Sequence, residues 1–344
     1  MTKNELENNQ MKKHIAILAG GDSSEFPVSM NSAQTIRDHL DTQKYHAHLV
    51  IVRGNDWYVE TDDGKKIPVN KDDFSFELKG EPVRFDCAFI IIHGTPGENG
   101  VLQGYFETLR IPYTTSGVLA SSLTFNKLFS KRYIAGFGVN ISNYYFLRRS
   151  ENYDPQTILE KTGLPCFVKP NRGGSSFGVT RVTDAADLPT AIEKAFEEDY
   201  QVLVEEYLEG TELTCGLIKS EGREWVFPPT EIVSKKDFFD YEAKYTKGMA
   251  DEITPARISG ELDQEVRQLS SRLYDLFDCR GIVRIDYIYA HERLYFMEVN
   301  TIPGMSAASI VPQQIRAMGY TLKEMFTLAI EDAMAHNQKE GLRK

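Results

Sequence analysis

The apolar run His14-Ile-Ala-Ile-Leu-Ala-Gly-Gly21 shows no polar alternation, which predicts a strand buried on both faces of a parallel sheet and running into a loop. Helical spacing follows over Ser32–Leu40, a second strand over Ala47–Val52, a third over Cys87–Ile92 and a helix over Val101–Leu109. Between Arg53 and Arg84 the chain turns polar, with Gly, Pro and Asp turns that predict a small hairpin insertion. Strand and helix thus alternate as in an open parallel α/β sheet. From Ser116 the pattern changes to a helix over Thr124–Gly136, helices over Pro155–Lys161 and Ala185–Glu197, and short strands at Cys166–Lys169, Val179–Val182 and Gln201–Glu206. From Tyr207 come strands at Leu213–Lys219, Gly281–Tyr289 and Arg293–Val299, with Leu262, Val266, Leu269, Leu273 and Leu276 forming one helical core stripe. Glu231–Ile253 is long, polar-aromatic and aperiodic, as functional lids often are. The expected units are a flexible extension (1–11), an N-terminal domain (12–115), a central α+β subdomain (116–206) and a C-terminal α+β domain (207–344).

Composition narrows the class. Of 344 residues, 41% are hydrophobic and 26% charged, enough apolar material for a sizeable core. Fifty acidic residues against 39 basic ones give a net charge of −11, which argues against non-specific nucleic-acid binding. No uncharged apolar run reaches the roughly 18 residues of a membrane helix, and Met1–Gln10 lacks the apolar stretch of a signal peptide. Cys87, Cys166, Cys215 and Cys279 form no CxxC pair and read as buried free thiols in a reducing compartment. The expectation is a soluble, cytoplasmic protein with neither a nucleic-acid nor a membrane partner.

The sharpest chemistry lies in Gly281-Ile-Val-Arg-Ile-Asp-Tyr-Ile-Tyr289 and Arg293-Leu-Tyr-Phe-Met-Glu-Val-Asn300. Their short connection predicts an antiparallel hairpin. With the turn centred near Glu292, Asp286 faces Glu298 and Arg284 faces Asn300, so all four share one face. Val283, Ile285, Tyr287, Tyr295, Met297 and Val299 are expected on the other, packed face. Two carboxylates and a carboxamide suit Mg²⁺, which takes a few protein oxygens plus substrate phosphates. The strand then runs into Asn300-Thr-Ile-Pro-Gly-Met-Ser306, a loop able to offer backbone N–H groups to an anion. A solvated face with ordinary ion pairs is the competing reading.

A second motif, Lys169-Pro-Asn-Arg-Gly-Gly-Ser-Ser-Phe-Gly178, admits three readings. Gly174-Ser-Ser-Phe-Gly178 fits the G-x-S-x-G elbow of a serine hydrolase, with Ser176 as nucleophile and His291 or His336 as base, but that elbow must lead into a helix. Gly173 to Gly178 also has the glycine spacing of a P-loop, but Val179-Thr180 stands where Lys-Ser/Thr is required. The third reading is a hairpin tip folding over nucleotide phosphates, with Lys169 and Arg172 supplying charge. Beside the carboxylate hairpin, this last reading fits best.

Eight segments in order resemble the D-alanine–D-alanine ligases of the ATP-grasp superfamily: Gly20-Gly21 with Ser24–Ser29, His93–Gly100, Lys127–Lys131, Lys169–Gly178, Glu205–Glu212, Asp240–Tyr245, Arg284–Asp286 and Glu298–Met305. The resemblance implies an α/β ATP-grasp fold of three domains, the first a Rossmann-like parallel sheet. It implies ATP as co-substrate, Mg²⁺ (two ions, with Mn²⁺ able to substitute) and a homodimer. The implied reaction joins two D-alanines through an acyl phosphate to give the peptidoglycan dipeptide. Joining D-alanine to a different second substrate is the alternative, and a catalytically silent ATP binder a further one.

By matching position, the resemblance makes Asp286, Glu298 and Asn300 the metal ligands and Arg284 the stabiliser of the oxyanion. Lys127, Lys169 and Lys244 would contact ATP phosphates, Glu205 and Leu208 would frame the adenine, and Glu212 would hold the ribose. Glu25 would bind the first D-alanine's ammonium and close the site with Ser175 and Tyr245. His93 would touch substrate, while Gly304 and Ser309 would hold the second D-alanine's carboxylate. The Tyr-Glu-Ala-Lys-Tyr245 segment, which the D-alanyl-D-lactate-forming relatives lack, favours an amine nucleophile.

Overall fold

The structure, a computed structural model, describes residues 12–174, 177–234 and 250–339. Its strands form three sheets. In the first, β1 (Lys13–Gly20) lies between β2 (Tyr45–Arg53) and β7 (Cys87–Ile90), parallel to both. Ile15 through Ala19 are fully buried on both faces, as the unbroken apolar run requires. The polar insertion adds four antiparallel strands, β3 (Asp56–Glu60), β4 (Lys66–Asn70), β5 (Ser75–Leu78) and β6 (Glu81–Arg84), to one edge of this sheet. Gly20 ends β1 at φ +105°, and a Cβ there would lie 2.6 Å from the Val52 carbonyl oxygen, so the turn toward Glu25 needs glycine.

Helix α1 spans Phe26–His39, six residues earlier than the apolar spacing indicates. Pro27, in its first turn, has its φ preset for a helix start. Helix α2 covers Val101–Leu109, as expected. The single helix expected over Thr124–Gly136 is instead two, α3 (Val118–Phe125) and α4 (Lys127–Ala135). Asn126 breaks them with extended backbone, and its side chain accepts the Phe129 N–H as an N-cap.

The second sheet has the order β11 (Thr180–Val182), β10 (Cys166–Pro170), β12 (Gln201–Glu206), β9 (Tyr144–Arg148). Helices α5 (Pro155–Thr162) and α6 (Leu188–Glu198) cover it. The third sheet runs β16 (Ala250–Ile253), β15 (Thr230–Ser234), β13 (Thr211–Ser220), β17 (Val283–Ala290), β18 (Arg293–Asn300), β8 (Asn140–Ile141), with β14 (Arg223–Val226) paired to β13. Helix α7 (Gly260–Leu276) packs Leu262, Val266 and Leu273 into its core.

Packing redraws two of the expected boundaries. Residues 118–141 belong with the third sheet, since Ile134 and Val139 lie in its core and β8 extends it. At the other end, α8 (Ile310–Ala317) bonds β13 through Gln314, while α9 (Leu322–Lys339) returns to the first sheet, where Phe326 meets Phe89 edge-on at 5.6 Å. The aperiodic stretch from Glu231 also begins and ends as strand, because β15 and β16 pair antiparallel from Glu231↔Ile253 to Ser234↔Ala250.

Candidate active site

The hairpin of β17 and β18 turns on His291 and Glu292, both at positive φ, the geometry of a two-residue type I′ turn. Such a turn alone would set Asp286 opposite Met297. A β-bulge between Asp286 and Tyr287 adds one residue to β18, so Asp286 instead faces Glu298 and Arg284 faces Asn300. The expected charged pairing is present. The expected packed face is corrected: beyond the bulge Leu294 and Phe296 are buried, whereas Tyr295 and Met297 are not, and Met297 lines the cleft beside Glu298.

Four donors converge on one carboxylate here. Arg284 donates from Nε and Nη2 to the two Asp286 oxygens, each at 2.8 Å. Asn300 Nδ2 donates to Asp286 Oδ2 at 3.0 Å, and the Thr214 hydroxyl, on β13, donates to Oδ1 at 2.5 Å. Glu298 lies 3.4 Å from Lys127 Nζ, at the first turn of α4. Lys127 also donates to the Gly173 carbonyl at 2.8 Å and so ties the glycine-rich connection to the carboxylates. Among the described residues no three His, Cys, Asp or Glu side chains form a metal-binding group. Two carboxylates and a carboxamide nonetheless fit Mg²⁺, whose other positions go to water and substrate phosphate.

The cleft runs on in two directions from this cluster. Toward the second sheet it is lined by Lys169, Glu205, Leu208, Glu212, Phe167 and Val179. β10 and β11 flank the glycine-rich connection, and Val179 leads directly into a strand, so neither the hydrolase elbow nor the P-loop has its helix. Toward the first sheet the cleft is lined by Glu25, His93, Glu98, Glu252, Gly304 and Ser309. Glu25 is buried at the start of α1, and a Cβ on Gly174 would come within 2.9 Å of its carboxylate, so the glycine-rich connection closes directly over it. Ser309 stands at the N-terminus of α8, its hydroxyl 2.7 Å from that of Ser306. The structure thus brings Glu25, His93, Lys127, Lys169, Glu205, Leu208, Glu212, Arg284, Asp286, Glu298, Asn300, Gly304 and Ser309 to one cleft. Ser175, Lys244 and Tyr245 lie outside the described residues.

Three side chains in or beneath the cleft carried no expected role. Lys131 is fully buried, spaced three residues from Leu128 and from Ile134 on the inner face of α4. That spacing was the available signal, a lysine in an apolar stripe. Glu252 lines the cleft and accepts from Gln313 Nε2 at 2.7 Å, and burial raises its carboxyl. Glu98, inside the His93–Gly100 loop, accepts the Gly94 N–H at 2.7 Å. Burial and the neighbouring Glu25 push its carboxyl up to about 8, while burial lowers the His93 imidazole.

Glu98 gives a stability prediction. Its folded pKa lies above the unfolded one, so between about 4.5 and 8 the folded state holds a proton that the unfolded state has lost, and stability falls as pH rises. Glu98→Gln imitates the protonated acid. Thermal melts should show its advantage over the wild type growing from pH 5 to pH 8, and an advantage that is flat across this range would contradict the assignment.

Comparison with known proteins converges on one family. Residues 14–116 match the family described as D-ala D-ala ligase N-terminus, and residues 133–331 the one described as D-ala D-ala ligase C-terminus. A D-alanine–D-alanine ligase of Bacteroides fragilis is 50% identical over 323 residues, covering 94% of this chain and 99% of that protein. Among solved structures, D-alanyl-alanine synthetase A of Vibrio cholerae superposes with a TM-score of 0.85 at 28% identity, covering 94% and 99% of the two chains. The Bacillus anthracis D-alanine–D-alanine ligase complexed with ATP gives a TM-score of 0.76 at 29% identity, covering 96% and 100%. The cleft enclosed by the second and third sheets is the ATP-grasp arrangement, and with both halves matched along nearly the whole length, this chain belongs to the D-alanine–D-alanine ligase family.

Proposed function

We propose that this cleft joins two D-alanines into D-alanyl-D-alanine at the expense of ATP, releasing ADP and phosphate for peptidoglycan precursor synthesis. One observation carries the residue roles: Asp286, Glu298, Asn300 and Arg284 share a strand face, with Lys127 and Lys169 lining the same cleft. Lys127 and Lys169 hold the nucleotide phosphates, Leu208 and Glu205 frame the base, and Glu212 takes the ribose. Asp286, Glu298 and Asn300 would hold Mg²⁺, which would supply positive charge against the nucleotide phosphates. Glu25 pairs with the ammonium of the first D-alanine, with His93 beside it, and the carboxylate of that D-alanine attacks the γ-phosphorus, breaking its bond to the bridging oxygen so that ADP leaves and the acyl phosphate forms. Ser309 and the loop at Gly304 orient the second D-alanine by its carboxylate. Its amine then attacks the acyl phosphate and expels phosphate, while Arg284 stabilises the developing oxyanion. No covalent enzyme intermediate is needed, so catalysis is positioning and charge stabilisation.

Lid closure by Ser175 and Tyr245, a phosphate contact from Lys244, a count of two Mg²⁺ with Mn²⁺ as substitute, a homodimer and a cytoplasmic location complete the reading, each resting on the family resemblance. Among the described residues, no helix is long and apolar enough to cross a membrane. The test is phosphate release from ATP and Mg²⁺ with D-alanine, L-alanine, D-lactate or no acceptor, with products identified by mass spectrometry. Release that depends on D-alanine and yields D-alanyl-D-alanine is the expected result. ATP binding without turnover on any acceptor would overturn it.

A further inference from the structure

Behind the nucleotide end of the cleft, one buried carboxylate is shared by two lysines. Glu205 is 2% exposed, and its Oε2 lies 2.9 Å from Lys169 Nζ and 3.3 Å from Lys131 Nζ, with the Ser142 hydroxyl donating to it at 3.1 Å. Its other oxygen, Oε1, is buried without a hydrogen-bond partner among the described residues. The two lysines differ in kind. Lys169 is 12% exposed and lines the cleft. Lys131 is 0% exposed, is anchored by the Ser142 hydroxyl at 3.0 Å and the Phe296 carbonyl at 3.5 Å, and does not reach the cleft.

Two ammonium groups face one carboxylate here, and Glu298, whose charge also acts on Lys131, is paired with Lys127, so the group carries one cation in excess. Burying an unmatched charge is costly, so the excess needs a purpose. An anion entering the cleft supplies one. If Lys169 turned to a nucleotide phosphate with no second lysine present, Glu205 would be left as a buried, unpaired carboxylate, and that penalty would oppose binding.

We infer that Lys131 is the standing counter-ion of Glu205, a positioning residue that lets Lys169 pass from Glu205 to the phosphates of ATP. The inference rests on the reading of this cleft as an ATP site. Burial drags the Lys131 ammonium down to about 8 despite Glu205, and burial of Glu205 is overcome by Lys131 and Lys169, which hold its carboxyl at about 2. At neutral pH Glu205 is ionised and Lys131 still mostly protonated, so the two face each other as a charge pair.

The test is Lys131→Met, of similar length and without charge. With Lys169 then the one cation left beside Glu205 among the described residues, the KM for ATP should rise by about tenfold or more, while the KM for D-alanine at saturating ATP stays within about twofold. Adding Glu205→Gln removes the captive charge, so K131M/E205Q should bind ATP more tightly than K131M, by calorimetry with a non-hydrolysable ATP analogue. An unchanged KM for ATP in K131M, or equal weakening in the single and double variants, would overturn the inference. If K131M does not fold, Lys131→Gln takes its place with the same expectations. A double variant that folds and binds the analogue where both single variants fail supports the counter-ion role, and failure of all three makes Lys131 purely structural. Failure of the ligase reading itself would show separately, as a wild type that releases no phosphate with D-alanine.

Discussion

Asp286→Asn is expected to abolish D-alanyl-D-alanine synthesis, lowering turnover by about 10²–10³-fold or more, while circular dichroism and the melting temperature stay near wild-type values. The substitution is isosteric and its site is partly open, with the side chain 15% exposed on the cleft face of β17. The core on the opposite face, Val283, Ile285 and Tyr287, is untouched. What changes is charge and donor pattern. Arg284, Asn300 and Thr214 all donate to Asp286, and an amide at this position can accept from some of them but presents its own N–H₂ to the rest. It also removes one of the two carboxylates opposite each other across the hairpin, and with it half the negative charge that would hold Mg²⁺. Glu298→Gln should act in the same direction, with an added effect on ATP binding because Lys127 loses its carboxylate neighbour and keeps only the Gly173 carbonyl among the described contacts. Dipeptide formation followed by mass spectrometry over a Mg²⁺ titration decides the matter. Near-full activity in either variant would remove that residue from the metal assignment.

The pairing on which this rests was legible in the sequence, though partly by cancellation. A turn centred near Glu292 gives the observed Asp286↔Glu298 register, but the true turn lies at His291-Glu292 and the bulge at Met297 restores the alignment. Alternation holds only as far as the bulge, so Tyr295 and Met297 were expected in the core that Leu294 and Phe296 fill. A bulge leaves no simple mark on period-two patterning, because one extra residue merely shifts the phase of every position beyond it. The parallel strands were readable because burial on both faces forces an unbroken apolar run. Lys131, Glu98 and Glu252 were not assigned, since what sets them apart is who surrounds them in three dimensions. The return of α9 to the first sheet was equally hidden, because a helical stripe tells which face is covered and not by what.

Arg284→Met separates two jobs proposed for one guanidinium. Arg284 grips both oxygens of Asp286, and it also lines the cleft with Ser309 and Gly304, where the second D-alanine would lie. If its work is only to hold Asp286 in place, the variant should need more Mg²⁺ and recover once metal is saturating. If it stabilises charge that develops as the amine attacks, kcat should stay low at any metal concentration, by about 10²–10³-fold. The second outcome is expected. Asn300 and Thr214 still donate to Asp286 when Arg284 is gone, so the carboxylate does not lose its orientation. Among the described residues no other Lys or Arg lines the cleft near Ser309: Lys127 and Lys169 line the nucleotide end, beside Glu298 and Glu205 respectively. Single-turnover assays should accordingly show ATP bound with near-normal affinity and a dipeptide-forming step that is slow even with both substrates saturating, whereas rescue by added Mg²⁺ would return Arg284 to a purely positioning role.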